Sequence, residues 1–215
     1  MNVKNLSKRY KTDNGETVVL DNFNIDFEDG KTTAVMGGSG IGKTTLLNCI
    51  AKLTDYEGEI IGAGEVAYVF QSDRLLPNKT VYKNVEFVIS EQNAEERKRR
   101  VVEALKVTEL ENEAGKFPSE LSGGEQQRVS IARALAKNPK IILCDEPTGA
   151  LDSQTGVLVL KLLLSMAKNY GKTIVIVTHN QNIAKMADEI IRVKNGKIFS
   201  IENQDNPLNA DEVDW

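Results

Sequence analysis

The sequence predicts an α/β fold with a mostly parallel core sheet, an antiparallel β edge subdomain and an inserted helical subdomain. Three observations carry this. Short apolar runs that read as buried strands, Thr32–Met36, Glu65–Phe70, Ile141–Cys144 and Ile174–Thr178, alternate with segments of helical apolar spacing, an order that lays strands parallel. The N-terminal segment instead crowds strand-like runs together at Val3–Leu6, Thr17–Leu20 and Phe23–Phe27, with Asp13-Asn14-Gly15 as the turn between the first two. From Asn78 to Leu121, helical patterns at Val81–Val88 and Ala94–Leu105 follow one another with no strand between them and end near Phe117-Pro118.

The strand Thr32–Met36 leads into Gly37-Gly38-Ser39-Gly40-Ile41-Gly42-Lys43-Thr44, which spells G-x-x-x-x-G-K-T. From Thr45 to Leu53 the apolar residues Leu46, Leu47 and Ile50 then fall at helical spacing. Strand, glycine loop and helix form the context of a phosphate-cradling P-loop. Backbone N–H groups turn inward around phosphate oxygens, and the positive end of the following helix points at the same place. Lys43 is placed to reach the β- and γ-phosphates of a nucleotide, and Thr44 to put its hydroxyl on Mg²⁺.

Further along, Glu65–Phe70 ends at Gln71. Leu121-Ser122-Gly123-Gly124-Glu125-Gln126-Gln127 opens a helical pattern through Val129, Ile131, Ala132, Leu135 and Ala136. A helix start with a hydroxyl and free N–H groups makes Ser122, Gly123 and Gly124 a second anion site. The apolar run Ile141–Cys144 ends in Asp145-Glu146. Asp145 closes a buried strand, where a carboxylate can hold Mg²⁺ directly or through water. Glu146, one residue on, should point to the other side of the strand end, where a general base can polarise a water. Asp152 can cap a helix over Ser153–Tyr170. His179, the only histidine, ends the strand Ile174–Thr178. Glu189–Lys194 and Lys197–Ile201 flank Asn195-Gly196, a hairpin signal.

Taken in order, the P-loop, Gln71, L-S-G-G-E-Q, the strand with D-E, Leu151-Asp152 and His179 resemble the nucleotide-binding subunit of an ABC transporter. The likeness runs from near Val3 to near Ile201, and L-S-G-G-E-Q makes it specific among P-loop NTPases. The resemblance implies a single ABC cassette over 1–215 that binds ATP with Mg²⁺ and hydrolyses it, with a helical subdomain near 78–121. It implies that Gly37, Gly38, Ser39, Gly40, Ile41, Gly42, Lys43, Thr44 and Thr45 hold the phosphates, and that Tyr10 stacks on adenine. Thr44, Asp145 and Gln71 would meet the metal, Gln71 also the water, and Glu146 and His179 would serve the reaction. Two cassettes, identical or paired, would join head to tail, so that Ser122, Gly123, Gly124 and Glu125 of one close on ATP held by Lys43 of the other, with Asp152 at the seam. The Gln71 loop would meet an integral membrane permease. The run Asp145–Gly156, with His179-Asn180-Gln181 and Met186-Ala187-Asp188, is similar to the lipoprotein-release, macrolide-export and antimicrobial-peptide-resistance branch. Phe70–Pro77 resembles the sulfonate and nitrate importers instead. Export, import of a small anion, and force transmission without a transported substrate all stay open.

Composition supplies the bounds. With 215 residues and 40% hydrophobic content, the chain can bury a substantial core. Its formal net charge of -4 and lack of a dense basic patch exclude nucleic acid as the expected partner. Glu95 to Arg100 reads as the solvated face of a helix. The stretch Val157 to Leu164 is broken by Lys161 and is too short to span a bilayer, and no signal peptide is read at Met1. The expected location is therefore the cytoplasmic face of the cell membrane, through a permease. Cys49 and Cys144 read as reduced core residues. Residues 202–215 read as a short acidic tail without periodicity.

Overall fold

The computed structural model describes residues 1–12, 15–72 and 74–212. The Asp13-Asn14 part of the predicted turn, Asp73 and residues 213–215 of the tail lie outside the described residues. The chain opens with a long antiparallel hairpin, β1 (Asn2–Thr12) and β2 (Gly15–Asp26). The predicted strands Thr17–Leu20 and Phe23–Phe27 prove to be one strand. Asn22 takes φ +52, and its N–H donates to Ser7 Oγ at 2.9 Å, so a bulge absorbs the break in the apolar pattern.

β3 (Thr32–Met36) is buried at every position and feeds the glycine loop and α1 (Lys43–Ile50). β4 (Glu57–Ile61) completes a three-stranded antiparallel sheet in the order β2-β1-β4. β5 (Val66–Val69), β6 (Ile141–Asp145), β7 (Thr173–Thr178) and β8 (Glu189–Lys194) join β3 in a second sheet, and β9 (Lys197–Asn203) pairs antiparallel along its edge. The order is β5-β6-β7-β3-β8-β9, with the first five strands parallel. The core sheet is therefore mostly parallel, as the sequence predicts.

Both faces of this sheet are covered, which is why its strands read as unbroken apolar runs. Ile142, Cys144, Ile174 and Ile176 face one cluster, and Ile141, Leu143, Val175 and Val177 face the other, following the two-residue period of a strand. The first cluster packs under α2 (Val81–Glu86), α3 (Ala94–Val107), α4 (Gly123–Lys137) and α5 (Ser153–Tyr170). The second takes α1 and the hairpin residues Leu6, Leu20, Phe23 and Phe27.

Helix ends carry the caps the sequence advertises. Ser122 accepts from the Glu125 N–H, and Asp152 from the Thr155 N–H at 3.1 Å. Asn195 and Gly196 both take positive φ, the geometry of a tight two-residue hairpin. Cys49 and Cys144 are free and buried, and burial pushes the Cys49 thiol up to about 11. The tail is more ordered than its composition suggests. Glu202 and Asn203 belong to β9, and Leu208 and the buried Ala210 pack with Leu160, Ile183 and Met186, between α5 and α6 (Gln181–Ala184). Among the described residues, no helix is long and apolar enough to cross a membrane.

Candidate active site

Parallel strands bring their C-terminal ends to one edge, and here that edge is the site. A cavity of about 570 Å³ opens where β3, β5, β6 and β7 end. It is lined by Ser39, Gly40, Gly42, Lys43, Thr44 and Thr45 from the loop and α1, by Gln71 after β5, by Asp145 and Glu146 at the end of β6, and by Val177 and His179 at β7.

The loop is shaped by backbone. Gly42 takes φ +103, and a Cβ there would lie 2.8 Å from the Val19 carbonyl of β2, so only glycine lets the loop rest on the hairpin. Lys43 is buried, and its Nζ donates to the carbonyls of Gly37 and Gly38, each at 2.9 Å. Its charge is thus held at the loop mouth, with no ion pair to a carboxylate among the described residues. Gly37 and Gly38 serve the site through these carbonyls and do not line the cavity. Ile41 turns its side chain into the core.

Across the cavity, Thr44 Oγ1 donates to Asp145 Oδ1 at 3.1 Å, and the Tyr68 hydroxyl approaches Asp145 Oδ2 at 3.4 Å. Burial raises the Asp145 carboxyl above its ordinary value, against those two hydrogen bonds, and the neighbouring Glu146 adds to the rise. A carboxylate strained in this way is relieved by a cation beside it. A hydroxyl and a carboxylate converging at this distance form the hard-oxygen donor pair that Mg²⁺ takes.

Glu146 departs from the sequence expectation. It does not point to the far side of the strand end. Its backbone turns into the left-handed region at φ +46, its N–H donates to the Val177 carbonyl at 3.0 Å, and its side chain comes back into the cavity that Asp145 lines. There Glu146 Oε1 lies 2.8 Å from His179 Nδ1. Gln71 stands nearby, with its Nε2 3.2 Å from where a Cβ on Gly149 would sit.

The remaining expected residues lie elsewhere. Tyr10 is exposed near the hairpin tip and does not line the cavity. Ser122, Gly123, Gly124 and Glu125 are also absent from its wall. The Ser122 N–H and hydroxyl are not free as the sequence suggests. Glu125 Oε2 accepts both, at 2.7 and 2.8 Å, in a capping box that holds the Glu125 carboxyl below its ordinary value. Sequence reasoning missed Tyr68, the second hydroxyl partner of Asp145 beside Thr44. Its only signal was its place on a strand two residues before Phe70, on which it stacks at 4.0 Å between ring centroids.

The sequence profile of the ABC transporter family matches residues 20–149. The chain belongs to the ABC transporter family. As a cassette of that family, it is an ATPase. It is 42% identical to the uncharacterized ABC transporter ATP-binding protein MJ0796 of Methanocaldococcus jannaschii, over 91% of this chain and 94% of that one. It is also similar, at 38% identity, to the methionine import ATP-binding protein MetN 3 of Shouchella clausii, over 92% of this chain and 64% of that one. Among solved structures, the post-hydrolysis dimer of MJ0796 bound to ADP and Pi superposes with a TM-score of 0.85 at 39% identity, covering 95% of this cassette and 99% of that chain.

Proposed function

We propose that this cassette binds ATP with Mg²⁺, hydrolyses it as one half of a head-to-tail pair, and drives an integral membrane permease of the export type from the cytoplasmic face of the membrane. One observation carries the reading. The cavity gathers Lys43, Thr44, Gln71, Asp145, Glu146 and His179, while the Ser122–Glu125 helix start lies outside it. A cassette so divided needs a second copy to bring that helix start to the phosphates, and MJ0796 has been solved as a dimer.

In this reading Lys43 meets the terminal phosphates, the loop N–H groups cradle them, and Tyr10 stacks on the base. Thr44 and Asp145 would hold Mg²⁺ with Gln71 beside them, and the ion when bound would neutralise phosphate charge. Glu146 takes the proton of the attacking water, and His179 fixes its carboxylate. A second reading, import, rests on the Phe70–Pro77 segment and on the likeness to a methionine import cassette. A substrate-binding protein purifying with the permease would select it.

Glu146→Gln tests the pair. It should retain ATP, slow hydrolysis by roughly 10²–10⁴-fold, and elute as a dimer on gel filtration with ATP and Mg²⁺. A variant that binds ATP yet elutes as a monomer at high protein concentration would remove the paired arrangement.

A further inference from the structure

Lys8 has an unusual setting for a lysine. Its side chain on β1 is 7% exposed, and its Nζ reaches Asp55 Oδ1 at 2.6 Å, while the Asp55 side chain is 96% exposed in the turn after α1. The same ammonium lies 4.9 Å from the centroid of the Tyr10 ring. Its apolar stem lies covered along the strand while its ammonium ends at the surface against Asp55, which favours the charged form and fixes where that charge stands. The hairpin carrying both residues is tied to the phosphate loop. Lys8 pairs with Leu20, and Val19 and Leu20 form the floor on which Gly42 rests.

We propose that Lys8, held by Asp55, is a positioning residue for the nucleotide base, acting through Tyr10. Its ammonium covers one face of the ring and leaves the other as the platform for a purine. The cation restricts the rotamer of an otherwise exposed aromatic. It also draws π-density to the covered face, which lowers repulsion between the open face and an electron-rich base. The inference rests on the assignment of Tyr10 as the stacking residue.

The test uses the full chain and competes ATP, and separately inorganic tripolyphosphate, against a fluorescent ATP analogue. The ratio of the two affinities isolates the contribution of the base from that of the phosphates. Lys8→Met should weaken ATP by about 2- to 5-fold, the worth of an exposed cation–π contact, with tripolyphosphate unchanged. Asp55→Asn, a surface change that leaves the strand intact, should move ATP the same way. Lys8→Arg should restore most of the loss. In a Tyr10→Ala background, Lys8→Met should have no further effect. Equal weakening of both competitors, or additive losses in the double variant, would overturn the proposal in favour of a purely structural lysine. Tyr10→Ala alone should weaken ATP by about tenfold or more relative to tripolyphosphate. If it does not, the stacking assignment itself fails. If it does while Lys8→Met and Asp55→Asn change nothing, only the role of Lys8 is removed.

Discussion

Lys43 and Glu146 are kept ready in different ways. The Lys43 ammonium is buried against two carbonyl dipoles, a partial substitute for the solvent it has lost, and an arriving phosphate supplies the full counter-charge. Lys43→Ala should therefore abolish ATP binding or hydrolysis, since among the described residues no other lysine or arginine lines the cavity. Near-wild-type turnover in a steady-state ATPase assay would remove the P-loop assignment. Glu146 is held by backbone instead. A non-glycine residue in the left-handed region costs of order 1–3 kcal/mol, sustained here by the Val177 carbonyl and by the Gly149 N–H on its own carbonyl. Residue identity at the site was legible in the sequence, because glycines, Lys43, Asp145 and Glu146 sit at spacings set by chemistry. The left-handed turn of Glu146 was not, because it depends on an acceptor from β7, a strand distant in the chain.

At the scale of elements, legibility followed the caps and the periodicity. α5 begins where Asp152 offers a cap and ends at Gly171, which takes φ +61, so both ends were marked in the sequence. β4 was not marked, because Glu57-Gly58-Glu59 has a polar strand composition that only pairing with β1 explains. The segment after Gln71 is pinned by a residue with no sequence signal. Asn84 of α2 is fully buried, accepts from the Leu76 N–H at 2.8 Å, and donates to the carbonyls of Leu76, Lys79 and Thr80. Leu75 packs against the helical cluster, so at least part of this apolar loop is covered from within. Asn84→Ala would remove the partner of the Leu76 N–H and of the Lys79 carbonyl, while the Leu76 and Thr80 carbonyls keep their backbone bonds, a cost of about 1–3 kcal/mol. A thermal melt should show a fall of roughly 2–12 °C, at about 2–4 °C per kcal/mol for a chain of this size. An unchanged melting temperature would mean that water replaces the amide without loss.

At the scale of the molecule, the separation of the glycine-loop cavity from the Ser122 helix start governs what a single chain can do. Ser122 starts α4, far enough from the cavity to contribute nothing to its wall, and its donors are occupied by Glu125. Ser122→Arg should leave the ATP affinity of the isolated chain nearly intact, measured by equilibrium binding, while turnover is lost. A collapse of affinity would show instead that the helix start acts on the cavity of its own chain. The strand order has a different consequence, for the making of the protein. β3, which leads into the phosphate loop, pairs only with β7 and β8: Thr32 faces Ile174, and Ala34 faces Ile190. On a ribosome, β3 emerges well before β7 and β8 and waits without either partner until both have been synthesised. A nascent chain arrested before Thr173 would hold the complete glycine loop and both acidic residues, yet lack β7, the strand that joins β3 to the β5–β6 pair and so brings loop and acids to one edge.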